Sequence, residues 1–231
     1  MTLQQLLLDI RPAALTTLDN FVVGDNAELL ARLAALAAPE TMDQIYLWGP
    51  TGSGRSHLLC SVVKLAQARQ RPVSFTVGAR LGAELAVAPG MLVVVDDIDD
   101  LSEAAQITLF RTFNAARQDG LALLLSGSTP PLRLKTTLRE DLRTRIGSAL
   151  IYEVRPLSDA DKAAALRSHG ASRGMRIDDA LIDYLLHHGR RDLPTLLAVL
   201  DALDQISLEQ QRPLTLPLLR EVLQTSLELN Q

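Results

Sequence analysis

Apolar residues recur along this chain in three rhythms, and each predicts a different kind of element. Short unbroken apolar runs occupy residues 45–48, 91–95 and 121–125. A run of that length without polar alternation is what a strand buried on both faces of a parallel sheet requires. Residues 73–77 alternate instead, like a strand with one covered face. Apolar positions three to four apart predict amphipathic helices over 27–38, from the glycine-rich segment after the first run to about residue 69, and over 102–118, where Leu109, Phe110 and Phe113 share a side. Asn26 stands where a helix N-cap belongs, Pro39 ends the first helix and Gly120 the third. Strand and helix thus alternate through the first two thirds of the chain, which predicts an α/β fold with a parallel doubly wound sheet. From Leu157 onward only the helical rhythm remains. Ser158 caps a run through 168, and 178–188, 193–209 and 217–229 follow, so a small all-α domain is expected at 156–231. The first twelve residues, closed by Pro12, read as a tail and leave 13–155 for the α/β domain.

Composition narrows the class. At 231 residues, 47% hydrophobic and 22% charged, the chain has the make-up of an ordinary globular protein and not of a disordered one. A formal net charge of −4 argues against the broad basic field on which non-specific duplex binding depends. The single cysteine, Cys60, has no intramolecular partner, which suits a reducing compartment. With no basic leader before a long apolar run, and no stretch of about 18 apolar residues, a cytoplasmic protein without membrane attachment is expected.

Candidate chemistry gathers where the strands are expected to end. Gly49-Pro50-Thr51-Gly52-Ser53-Gly54-Arg55-Ser56-His57 joins a strand to a helix start, and its glycines let successive N–H groups curl inward around an anion. Gly49, Gly54 and Ser56 match the P-loop pattern, with Ser56 as the magnesium-facing hydroxyl, but Arg55 stands where that pattern has lysine. A guanidinium can reach β- and γ-phosphate oxygens without placing its charge as an ammonium does, so binding is a firmer expectation than hydrolysis. Thr51, Gly52, Ser53 and His57 complete the candidate phosphate contacts. Asp96 and Asp97 end the 91–97 run at the edge that faces the ligand crevice in such sheets. Asp96 is placed to hold magnesium and Asp97 to orient a water. The alternative is a turn or cap in a loop that is simply acidic, since Asp99 and Asp100 follow. A polar group in 126–131 would lie between the first and third strands, near a γ-phosphate. Residues 138–145 carry Arg139, Arg143 and Arg145, either as a solvated face or as an arginine offered to a neighbouring molecule's γ-phosphate. In the tail, Gln5-Leu6-Leu7-Leu8-Asp9-Ile10 can dock a hydrophobic pocket in extended form, or can be a frayed terminus. His169, His187 and His188 lack partners at metal-ligand spacing.

Several of these segments together carry a resemblance. Phe21-Val22-Val23-Gly24, the glycine-rich loop, Asp96-Asp97-Ile98, Leu109-Phe110-Arg111-Thr112-Phe113-Asn114, Ser128-Thr129-Pro130-Pro131 and Leu142-Arg143-Thr144-Arg145 occur in the order of the DnaA-type AAA+ module. They span nearly the whole chain. Within that family the chain is most similar to the regulatory inactivators of the initiator. Its glutamine-led tail looks like a sliding-clamp-binding peptide, the 77–91 segment is too short for the insertion that engages origin DNA, and no helix-turn-helix follows the helical domain. The resemblance implies an AAA+ P-loop module with a small all-α lid, binding ADP or ATP with Mg2+ between residues that include Val22 and Val23. It places Arg145 as an arginine finger acting in trans, Ser128 at sensor I and Arg191 at sensor II. Gln5, Leu6, Leu8 and Ile10 become anchors for the DNA polymerase sliding clamp (β subunit), with Asp9 where a proline is common, and Phe110 and Asn114 face DnaA. A regulator that meets DNA only through the clamp, near the nucleoid, and stimulates hydrolysis of DnaA-bound ATP is the function implied, with homo-oligomerisation possible. A DnaC-like helicase loader or other autonomous ATPase, and a nucleotide-free scaffold, are the rival readings.

Overall fold

The structure, a computed structural model, describes residues 17–18, 21–22, 26–188 and 192–228. They fall into two compact units that meet in sequence at Pro156 and Leu157. The first unit runs α1 (Ala27–Leu36), β1 (Gln44–Trp48), α2 (Arg55–Ala68), β2 (Val73–Val77), β3 (Leu92–Asp96), α3 (Glu103–Asp119), β4 (Ala122–Gly127), α4 (Glu140–Gly147) and β5 (Leu150–Glu153). Its five strands are all parallel, in the order β2-β3-β4-β1-β5. This is the doubly wound sheet that the apolar runs predict.

Every residue of β3 and β4 is buried, which is why both read as continuous apolar runs. Successive side chains leave a strand on opposite faces. Val93, Val95, Leu123 and Leu125 accordingly pack with Leu109, Phe113 and Leu142 on one side of the sheet. Val94, Leu124, Ile45 and Leu47 pack with Leu33, Leu58 and Val62 on the other. Each such leucine or valine is worth about 1.5–3 kcal/mol relative to exposure. Because β4 inserts between β1 and β3, the carboxyl ends of these three strands lie side by side, and the loops leaving them share one crevice. The edge strand β5 has no counterpart among the apolar runs. Leu150 and Ile151 are each 40% exposed, so it lacks the buried-face pattern that marks the other strands.

Two local findings refine the sequence reading. Asn26 does occupy the N-cap position of α1, but its side chain makes no cap bond. Its Oδ1 accepts instead from the Arg155 N–H at 3.4 Å, joining the start of α1 to the chain after β5. Arg71, which drew no attention in the sequence, is only 2% exposed. Its Nη1 donates to Leu36 O and Ala38 O, both at 2.7 Å, its Nη2 to Thr41 O at 2.8 Å and its Nε to Gly90 O at 3.0 Å. One guanidinium thereby holds the end of α1 to the turn before β3. Burial pulls its pKa below the usual arginine value, and the group remains a cation.

The second unit contains α5 (Asp159–Ser172), α6 (Asp179–His188), α7 (Leu193–Gln210) and α8 (Leu216–Glu228). Ser158 caps α5 as expected, its Oγ accepting from Asp161 N–H at 3.1 Å, and Asp192 caps α7 through Thr195 N–H at 3.0 Å. Leu166, Ile182, Leu185, Leu200 and Leu203 form an aliphatic core. Its polar side chains pair near the surface, as in Arg167 with Asp179 at 2.7 Å. No helix among the described residues is long and apolar enough to cross a membrane.

Candidate nucleotide site

The loop after β1 is tied down at both ends. Gly49 N–H donates to Gly127 O on β4 at 3.3 Å, and Ser53 N–H closes a turn on Pro50 O at 3.1 Å. Gly54 has φ +98°, in the left-handed region that side chains disfavour, and a Cβ there would lie 2.8 Å from the Phe21 ring. Phe21 in turn sits 5.8 Å from the His57 ring, centroid to centroid, and His57 Nε2 lies 3.1 Å from Thr17 O. Phe21 therefore runs beside the loop. α2 begins at Arg55, and its first closing bond is Leu58 N–H to Gly54 O at 3.0 Å. The N–H groups of Arg55, Ser56 and His57 precede that bond and have no acceptor within the helix.

Two buried polar atoms here have no hydrogen-bond partner among the described residues, Ser53 Oγ and Arg55 Nη1. Leaving such groups unsatisfied costs about 1–3 kcal/mol each. An acceptor-rich ligand seated on the loop is what they fit, so the residues present suit a polyphosphate. Ser56 is exposed in the first turn of α2. Among the described residues no group of three or more His, Cys, Asp or Glu side chains assembles a metal centre. Ser56 and Asp96 are the side chains that would hold a magnesium ion beside such a ligand.

The acid pair is held from two sides. Asp96, 6% exposed, accepts through Oδ1 a short hydrogen bond from Ser126 Oγ, and that hydroxyl accepts from Asp97 N–H at 3.0 Å. Ser126 is fully buried at the end of β4. Asp97 then leaves the strand at φ +52°. Gly78 makes room for this turn, because a Cβ on it would come within 2.2 Å of Asp97 O. Burial raises the Asp97 pKa, the adjacent Asp96 charge adds to that, and Arg55 opposes it. Arg55 Nη1 lies 3.2 Å from Asp97 Oδ1.

Of the other residues singled out, Ser128 turns to Asp99, donating from N–H at 2.6 Å and from Oγ at 3.1 Å. The polar strand-end group that touches Asp96 is instead Ser126, two residues earlier. Its signal was a lone hydroxyl closing an otherwise apolar strand. The three arginines after Leu138 differ. Arg139 pairs with Asp141 at 3.2 Å and Glu103 at 3.7 Å, and Arg143 with Glu140 at 3.9 Å. Arg145 is exposed, has no carboxylate partner among the described residues, and holds its guanidinium 6.0 Å from the Phe110 ring centroid. Asn114 is exposed one turn further along α3. Gln5, Leu6, Leu8, Ile10, Val23 and Arg191 lie outside the described residues.

A parallel sheet with β4 between β1 and β3, a glycine-rich loop opening α2 and an acid pair ending β3, followed in sequence by a helical unit, are the arrangement of the AAA+ fold. Comparison with known proteins agrees. Residues 159–223 match the family model described as Hda, lid domain. Domain III of the replication initiation protein DnaA from Thermotoga maritima superposes with a TM-score of 0.70 at 16% identity, over 90% of this chain and 95% of that one. AMPPCP-bound DnaA from Aquifex aeolicus gives 0.65 at 18% identity, over 84% and 69% of the two chains. RuvB from Thermotoga maritima gives 0.65 at 17%, over 91% and 72%. The chain thus shares the fold of DnaA domain III, and its residues 159–223 resemble the lid domain of Hda.

Proposed function

We propose that this chain is a DnaA-related regulator of replication initiation that, held at the DNA-loaded sliding clamp, stimulates hydrolysis of ATP bound to DnaA. The observation that carries this reading is the combination of an Hda-type lid with an exposed Arg145 free of any carboxylate among the described residues. A cation that no carboxylate among the described residues neutralises is available to a partner's phosphates, whereas Arg139 lies 3.2 Å from Asp141 and Arg143 lies 3.9 Å from Glu140 with its Nε buried. Arg145 offered in trans stabilises charge as it develops on the γ-phosphoryl held by DnaA, an effect worth about 10³–10⁵ in rate. Phe110 and Asn114, on α3 beside it, form the surface toward DnaA. Gln5, Leu6, Leu8 and Ile10 engage the clamp and raise the local concentration of the finger near DNA-bound initiator.

The chain's own nucleotide is ADP or ATP with magnesium, and when bound it supplies the acceptors that Ser53 Oγ, Arg55 Nη1 and the α2 N-terminus lack among the described residues. Residues 49–57 bind and orient it, Asp96, positioned by Ser126, holds the metal, and Ser128 and Arg191 serve as sensors I and II. Buried, partnerless donors on the loop favour this over a nucleotide-free scaffold. Arg55 in place of lysine favours binding over turnover.

Clamp-dependent DnaA ATP hydrolysis tests the proposal. Arg145→Ala is expected to lower the stimulated rate at least about 10³-fold, with clamp binding retained. Undiminished stimulation by that variant would remove the finger assignment. Loss of clamp binding in a Gln5→Ala, Leu8→Ala double variant is the matching test of the tail.

A further inference from the structure

The cation of the loop and the acid that leaves β3 are joined to each other. The Arg55 side chain is nine-tenths buried and its Nη1 lies 3.2 Å from Asp97 Oδ1, yet that nitrogen makes no hydrogen bond. The contact is one of charge without a directed bond, and Arg55 keeps an unused donor while Asp97 holds it. A phosphate oxygen is an acceptor of the same kind as the Asp97 carboxylate, and one guanidinium at this depth has to divide itself between them. Removing Arg55 from Asp97 would leave that carboxylate beside Asp96, Asp99 and Asp100 without its cation. Transfer of Arg55 to a ligand is therefore opposed by the acids around it.

We propose that Asp97 is the resting counter-ion of Arg55 and that nucleotide binding proceeds by exchange, the diphosphate taking Arg55 from Asp97. Asp97 thereby sets how tightly this site holds a nucleotide, and it becomes an unpaired carboxylate only when the site is filled. The inference rests on the reading of residues 49–57 as a nucleotide cradle and adds a competitor within the chain.

A double-mutant cycle tests it, with ADP binding to the full chain measured without magnesium by calorimetry and by the fluorescence of Trp48, the only tryptophan and the residue before Gly49. Asp97→Asn suits the left-handed backbone at this position, since asparagine adopts it readily. With Arg55 in place, Asp97→Asn is expected to tighten ADP binding about tenfold, within the usual range of coupling between two sites. With Arg55→Gln, the same change at 97 is expected to alter binding less than about twofold, a ratio that the Trp48 titration reads at millimolar ADP where calorimetry cannot. Simple repulsion between Asp97 and phosphate predicts the opposite order, because it is greatest when no arginine screens it. An equal or larger gain in the Arg55→Gln background, or no gain in either, overturns the exchange. Failure of the parent and of Asp97→Asn to bind ADP at all would instead overturn the nucleotide site itself, and the exchange with it.

Discussion

Two buried arginines flank α2, Arg55 at its first residue and Arg71 just past its end, 9% and 2% exposed. Arg71 places its donors on four backbone carbonyls, so its burial is accounted for within the fold. Arg55 has one carboxylate in charge contact and a buried nitrogen without a hydrogen bond. The difference teaches how to tell an architectural cation from a functional one. Where every donor has a fixed acceptor the group holds structure, and where a buried donor lacks one the fold tolerates a cost that a ligand can remove.

The comparison breaks most visibly at Arg71. Arg71→Ala leaves the carbonyls of Leu36, Ala38, Thr41 and Gly90 without their shared donor and is expected to cost about 4 kcal/mol in urea unfolding. A cost near zero would mean that water replaces the guanidinium and that its burial is incidental. Ser126→Ala comes next. It removes the hydroxyl between Asp96 Oδ1 and Asp97 N–H and should cost about 1–3 kcal/mol, with magnesium-dependent nucleotide affinity falling alongside. Arg55→Met sharpens the contrast, with an expected stability change under about 1 kcal/mol of either sign, because Asp97 is 40% exposed and water can solvate it once unpaired. The same variant should lose ADP binding by calorimetry. A loss of stability matching that of Arg71→Ala would place both arginines in the architectural class. The smallest effect belongs to the lid, where Asp201, 39% exposed, faces His169 at 2.6 Å and Arg173 in a short ion pair. Asp201→Ala should shift unfolding by less than about 1 kcal/mol, as exposed pairs do.

Much of the fold and part of the site could be read in advance. The runs 91–95 and 121–125 announce β3 and β4 because strands buried on both faces admit no polar alternation. Ser158 and Gly120 end helices by purely local chemistry, a hydroxyl reaching an N–H three residues on and a glycine entering the left-handed region. The glycine-rich loop and the acids after β3 are local too, since each is a short segment whose backbone preference and charge suffice to suggest anion and metal binding. Arg71 had no signal in the sequence, and Ser126 was legible only as one of the polar groups of 126–131, for a common reason. Neither belongs to a local motif, and each acquires its role from partners 19 to 35 residues away. The same applies to Asn26, whose position as an N-cap was legible while its bond to Arg155, 129 residues on, was not.

Periodicity, glycine placement and the order of the motifs were enough to establish an α/β unit followed by a helical one, with a phosphate-binding loop at the start of a helix. Those features depend on φ/ψ preference and on which side chains avoid water, and both act over a few neighbouring residues. The sheet order β2-β3-β4-β1-β5 decided the rest. It set Ser126 against Asp96 and Arg55 against Asp97, and the α3–α4 packing set Arg145 over Phe110. Contacts of this kind arise only when separate elements come within a few ångströms of each other. Which acid would hold Arg55, and which arginine would be left without one, were therefore settled by tertiary packing.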